Sequence, residues 1–296
     1  MAATVSLAPE EERLGSRPRP WRQMLRTASG AVGATIVALY LIVALMGALG
    51  LTPYPPLEQN RLDRLQGPSR DHLMGTDILG RDVFSRIIKG GTNSLIVVSL
   101  SVLLACTVGT AIGVISAYSG GFTDNVAMRV MDIFFAFPAI LLALLVVTVL
   151  GAGTRTTIFA IALVYIPIFS RVARAPVLAL KQTEFVEAAN SIGMRRWRIL
   201  TRHILPNAVA PIIVQISLAL SWALLTEAGL SFLGLGTPPP EPSWGQMLSE
   251  STGIAEIAPW LLIFPGRGHH AQRAWFQPAW RQPARRAGPP RLRGSR

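Results

Sequence analysis

The chain has 296 residues, half of them hydrophobic and only 15% charged, with a formal net charge of +12. Several apolar runs approach the roughly 20 residues needed to cross a bilayer. A soluble domain with shorter periodic runs is thereby excluded, and the class is all-α: a single-domain polytopic membrane protein. The one cysteine, Cys106, excludes an intrachain disulfide and a cysteine-cluster metal site.

Residues Met1 to Gly30 are polar and carry Arg13, Arg17, Arg19, Arg22 and Arg26, with acids only at Glu10 to Glu12. They read as a cytoplasmic N-terminal tail, followed by an uncleaved first span at about Ala31 to Leu51. A long connection follows, opened by Pro53, Pro55 and Pro56, which break any helix. Within it Gly75 and Gly80 permit turns, and Asp77 and Asp82 can cap or pair with Arg81 and Arg86. No nucleophile–base pair or metal-ligand spacing occurs there, so a folded cap and an interfacial helix are expected.

The second span is expected at about Ser94 to Tyr118. Its Gly109 and Gly113 stand four apart and allow close helix approach, here as packing within the subunit. Gly120-Gly121 makes a turn. Asp124, Arg129 and Asp132 cluster near the membrane surface, where a charge network among them is expected. The third span is expected at about Met131 to Leu150, kinked by Pro138. The fourth, at about Thr157 to Ser170, continues through Arg171 to Leu180 and includes Pro167 and Pro176.

The interval from Leu180 to Gln215 is polar and basic. Thr183 is placed to cap a short helix. Phe185, Ala188, Ala189 and Ile192 fall at i, i+3, i+4 and i+7 and predict one apolar face. Gly193 is placed to end the helix in a left-handed turn, and Leu205-Pro206 opens the next apolar run. Seven basic residues between Arg171 and His203 face only Glu184 and Glu187, which places this loop on the cytoplasmic side. By periodicity alone an ordinary inner loop is favoured over a docking helix.

The fifth span is expected at about Asn207 to Leu225. From Ile204 to Phe264 there is no Lys or Arg, whereas Glu227, Glu241, Glu250 and Glu256 are present, so the following connection belongs outside. Glu227 is the ionisable group expected at membrane depth, either facing a translocation path or serving as a structural hydrogen-bond partner. A sixth span begins near Ile257 and fails after Gly266. Residues 267–296 carry eight arginines and no acid. Such an abrupt change is what a shifted reading frame between about Arg267 and Pro289 produces; an Arg-rich lipid-binding tail is the competing account. His269-His270 is not taken as a metal site.

Glu187-Ala188-Ala189, then Gly193, then Leu205-Pro206 resembles the EAA loop of ABC-importer membrane subunits, with His203 where that motif usually has Ile. Arg202 to Asn207 (RHILPN), the G-T-D-x-L-G-R-D block at Gly75 to Asp82, the blocks around Asp124, Asp132 and Pro138, and Leu225 to Leu248 resemble the dipeptide, oligopeptide and nickel permease branch. The resemblance implies six transmembrane helices, the sixth here disrupted by the aberrant tail. It implies a permease domain at 31–266 with a coupling loop at about 171–206, between the tails 1–30 and 267–296 that composition sets apart. It further implies partnership with a homologous permease, two ATPase subunits and an extracytoplasmic binding protein. In that setting Glu187, Ala188, Ala189, Gly193, Leu205 and Pro206 would form the ATPase-coupling loop. No G-x-x-x-x-G-K-[ST] loop is present, so ATP would be held by the partners and no cofactor or metal by this chain. The spread of the basic residues along tails and loops argues against a nucleic-acid partner. An ion-driven secondary transporter and a membrane anchor or assembly protein are the alternatives from other classes.

Overall fold

A computed structural model describes Thr35 and residues 41–267, without the side chain of Asn190. The N-terminal tail, residues 31–34 and 36–40 of the expected first span, and the C-terminal tail beyond Arg267, His269-His270 included, lie outside the described residues. Among the described residues the fold is helical. Residues 41–48 form α1, the end of the first expected span. Helix α2 is Val83–Ser119, α3 Gly121–Phe135, α4 Ala139–Leu150 and α5 Thr154–Lys181. Helix α6 is Glu184–Ser191, α7 runs from Arg196 to Phe232, α8 is Trp244–Ser251, and residues 260–267 form α9.

Three of these, α2, α5 and α7, are each long and apolar enough to cross a membrane, and α3 with α4 counts as a fourth if the bent pair is one span. The main core lies where α2, α4, α5 and α7 meet, around Val102, Ala143, Ile161, Phe169 and Leu224. Helix α5 is the most enclosed of the spans. Its Pro167 and Pro176 sit inside one unbroken helix, so the fourth span is longer than the short core expected from Thr157 to Ser170. Small residues set the spacing on α2. A side-chain carbon on Gly109 would stand 2.5 Å from the Ile166 carbonyl oxygen, and one on Gly113 would overlap the backbone of Ser170. The pair is therefore an intrasubunit seam.

Two span boundaries differ from expectation. Helix α2 starts eleven residues before Ser94, because Asp82 caps it: the Ser85 amide donates to Asp82 Oδ2 at 2.8 Å. Helix α7 starts at Arg196 rather than Asn207. Leu205-Pro206 does not open it but lies inside it, just after a π-helical turn at Leu200–Ile204. There the Leu205 amide donates to the Leu200 carbonyl. Pro206 has no amide to donate and crowds the carbonyl one turn back, and the wider turn accommodates both demands.

The third span is not one kinked helix. Helices α3 and α4 are bent by 89° at their break, with Pro138 capping α4. The residue before a proline is steered away from helical geometry, and here the chain turns a full corner. Before that corner, Gly120 (φ 70) and Gly121 (φ 56) turn the chain from α2 into α3.

At the end of the bundle away from α6, residues 52–82 fold as a cap. Gly75 and Gly80 both take φ 75, and His72 Nδ1 lies 3.0 Å from Asp82 Oδ1. Asp77 takes Arg81 at 2.7 Å and Arg86 at 3.1 Å. Both arginines also reach Glu250 on α8, at 3.3 and 3.1 Å. The cap is thus locked to the C-terminal half. The Trp244 indole lies against Gly90 and Gly91 and donates to the Ile87 carbonyl at 2.8 Å.

Candidate functional site: the α6 loop

Helix α6 lies at the end of the bundle where α2, α5 and α7 converge. Val186 and Ala189 are buried against Val114, Ala117, Ala173, Val177 and Ile199. This corrects the predicted face. Phe185, Ala188 and Ile192 are exposed, Ile192 at 77%. The apolar residues split into two stripes: one facing inward through Val186 and Ala189, one facing outward. Glu184 and Glu187 flank the outward stripe and are exposed. An eight-residue helix cannot persist on its own, so the Val186–Ala189 anchor is what holds the outward stripe in place.

Thr183 does not provide the expected side-chain cap. Its hydroxyl donates to the Leu180 carbonyl at 2.6 Å, fastening the end of α5 instead, while its own carbonyl accepts from Val186 and Glu187. The other terminus matches expectation. Gly193 has φ 74, and the Met194 amide donates to the Ala189 carbonyl at 3.1 Å, the bond pattern of a Schellman turn. Met194 and Ala189 also share the apolar cluster beneath the turn. Phe185 faces His203 across the loop, ring centres 6.4 Å apart. Leu205 is half-buried and Pro206 exposed.

The loop is braced from behind. Lys181 Nζ donates to the Tyr118 carbonyl at 2.8 Å. Arg174 on α5 forks onto Asp124 of α3, at 2.8 and 2.6 Å. Arg171 meets Asp132 at 2.7 Å and stacks 4.1 Å from the centre of the Phe135 ring. The expected network among Asp124, Arg129 and Asp132 is therefore replaced: both acids pair with α5, and Arg129 joins neither pair. No local spacing signalled these partners, which lie 50 and 39 residues away. The two pairs differ in burial. Asp124 is 7% exposed, whereas the Asp132 and Arg171 side chains are 53% and 42% exposed. Arg174→Ala is expected to cost about 2–3 kcal/mol, since it strands a buried carboxylate. Arg171→Ala is expected to cost less than about 1 kcal/mol. Thermal unfolding in detergent compares the two, and equal losses would contradict the difference in burial.

Glu227 lies on α7, far along the helix from this loop. It is 1% exposed, and the Ser231 hydroxyl donates to its Oε1 at 2.8 Å.

Residues 109–266 match the family model described as binding-protein-dependent transport system inner membrane component. The match ends at the residue before the composition changes at Arg267. The chain is 43% identical over 251 residues to the dipeptide transport system permease protein DppC of Alkalihalophilus pseudofirmus, covering 83% of this chain and 82% of that protein. It is 44% identical over 246 residues to the glutathione transport system permease protein GsiD of Pectobacterium atrosepticum, covering 83% and 81%. Among solved structures, an inward-facing form of the MetNI methionine ABC transporter superposes with a TM-score of 0.52 at 17% identity. That match covers 64% of this chain and 93% of the other, and it supports the fold alone. With its apolar spans, multi-pass architecture and these relatives, the chain belongs to the family of binding-protein-dependent transport system inner membrane components.

Proposed function

We propose that this chain is a membrane subunit of an ATP-driven importer of small peptides, driven through α6 by cytoplasmic ATPase subunits. Dipeptide and glutathione permeases are its relatives, and both cargo names denote short peptides. The observation that carries the coupling reading is the outward stripe of α6. Phe185, Ala188 and Ile192 are exposed on a helix otherwise anchored by Val186 and Ala189. An apolar helical stripe rimmed by Glu184 and Glu187 suits a groove on a partner. Ala188 allows close approach, Glu187 offers a carboxylate to the ATPase surface, and Gly193 sets the turn into α7 with Leu205 and Pro206. The remaining partners are a homologous permease and an extracytoplasmic binding protein, and the N-terminus is cytoplasmic. ATP binding then biases the spans by contacting α6 better in one of two states. Glu227, enclosed beside Ser231, fits the structural alternative better than a position facing cargo.

Two measurements test this. Ala188→Cys in sealed right-side-out vesicles is expected to resist a membrane-impermeant thiol reagent, and ready labelling from outside would place the loop on the wrong face. Gly193 has open space around it, so its substitution acts through backbone strain. A left-handed β-branched residue costs roughly 1–2 kcal/mol, a factor of about 5–30 in the population of the native turn. Gly193→Val is expected to lower peptide uptake by that order while the partner ATPase still turns over. Gly193→Asn, which tolerates this conformation, is expected to stay near wild type. Equal uptake in all three proteins would remove the turn from the coupling path.

A further inference from the structure

The corner between α3 and α4 opens onto a cavity of about 460 Å³ walled by those helices, α5 and α7. Its lining includes Phe134, Phe135, Phe137, Tyr165, Gln215 and Trp222. Phe137 and Trp222 are each about half exposed, at 50% and 51%. Tyr165 and Gln215 sit near the middles of two spanning helices, which places the cavity at membrane depth. A break of 89° in a helix leaves carbonyls at the end of α3 and amides at the start of α4 without helical partners. Such backbone does not face hydrocarbon; it is tolerated where it meets protein or lines a water-filled space. The corner therefore marks this side of the bundle as facing away from lipid. The lining carries no charged side chain. One carboxamide, Gln215, stands among the aromatic walls, and the Tyr165 hydroxyl is turned to Thr226 at 3.5 Å.

We infer that this cavity is a segment of the translocation path and receives apolar or aromatic side chains of the cargo, with Gln215 offering the hydrogen-bonding group. The inference rests on the permease reading above. Uncharged aromatic walls attract side chains of that kind by area burial without holding them by an ion pair, which suits a site that cargo must leave.

Because Cys106 is the single cysteine of this chain, a Cys106→Ala background leaves it without a thiol of its own, and labelling is read on this chain alone, separated after reaction from the fully assembled transporter in proteoliposomes. The test places Gln215→Cys and Trp222→Cys in that background, with Leu103→Cys and Val149→Cys as exposed apolar controls outside the cavity. A cationic, water-soluble methanethiosulfonate reacts with thiolate, which forms in water and not in lipid. The cavity thiols are expected to react at least tenfold faster than the controls. Modification at Gln215→Cys is further expected to block uptake of the dipeptide Ala-Phe, while modification at the controls leaves uptake unchanged. Cavity thiols no faster than the controls would mean that lipid or a helix of the partner permease fills the space, and would overturn the inference. Fast modification without loss of uptake would overturn it too. The labelling rates decide the cavity by themselves. Failure of the unmodified background protein to co-purify with an ATPase would instead overturn the permease reading.

Discussion

Gly113→Val is expected to destabilise the bundle by about 3 kcal/mol or more. Overpacking a well-filled interior ordinarily costs about 1–3 kcal/mol because neighbouring side chains shift to make room. At Gly113 the obstacle is backbone: an added carbon would lie 2.9 Å from the Ser170 carbonyl carbon and 3.0 Å from its Cα. The backbone of α5 cannot rotate away as a side chain does. The better helix propensity of a residue with a side chain returns at most about 1 kcal/mol, so the clash wins. Gly109→Ala is expected to act in the same direction, since its new carbon would meet the Ile166 carbonyl and Phe169 Cβ at 2.5 and 2.8 Å. Gly253→Ala, with open space around it, is expected to stay within about 0.5 kcal/mol of wild type. Thermal unfolding in detergent, followed by size-exclusion profile, reads the series. Wild-type stability in Gly113→Val would show that α2 and α5 do not cross at this distance.

The same seam shows what the sequence makes legible. Two glycines four residues apart in an apolar run announce a close helix approach, and Gly193 after a short amphipathic stretch announces a left-handed helix end. Both depend on local backbone chemistry, so spacing reveals them. The blocks around Gly75, Asp82, Glu187 and Pro206 carried the family for the same reason. What spacing could not reveal depended on distant partners. The i, i+3, i+4, i+7 pattern grouped Phe185, Ala188, Ala189 and Ile192, but Val186, which completes the inward stripe with Ala189, lies outside that pattern. Helix α6 is short enough for either stripe to face the bundle, and the pockets offered by α2, α5 and α7 decided between them. Asp124 and Asp132 stood nearest Arg129 in sequence, yet α5 supplied their arginines. Pro138 signalled a bend, whereas its size followed from α3 being tied to α5 by ion pairs while α4 packs into the core.

The cap of residues 52–82 carries the other large expected effect. Arg86 is 1% exposed and spans Asp77 and Glu250, so it joins the loop before α2 to α8. Removing one member of a buried ion network leaves charge without compensation, at a cost of about 3–5 kcal/mol. Arg86→Ala is expected to lie in that range, and Arg86→Met, which restores volume but not charge, to recover only the part due to the cavity. Arg86→Lys keeps the charge but loses the planar fork that reaches two carboxylates, and is expected to fall between. Glu250 should behave differently. Burial pushes its carboxyl above the usual range, Arg81 opposes that shift, and Asp77 adds to it. A carboxyl whose pKa is higher folded than unfolded binds its proton more tightly in the folded state. Its contribution is complete below the unfolded pKa and is lost as pH rises through the folded one. Glu250→Gln, fixed in a neutral form, is therefore expected to match wild type in acid and to be at least as stable above the raised folded pKa. Unfolding midpoints measured across pH decide this. A Glu250→Gln protein that loses as much stability at neutral pH as Arg86→Ala would show that the carboxylate, rather than the guanidinium between its two acids, holds the cap in place.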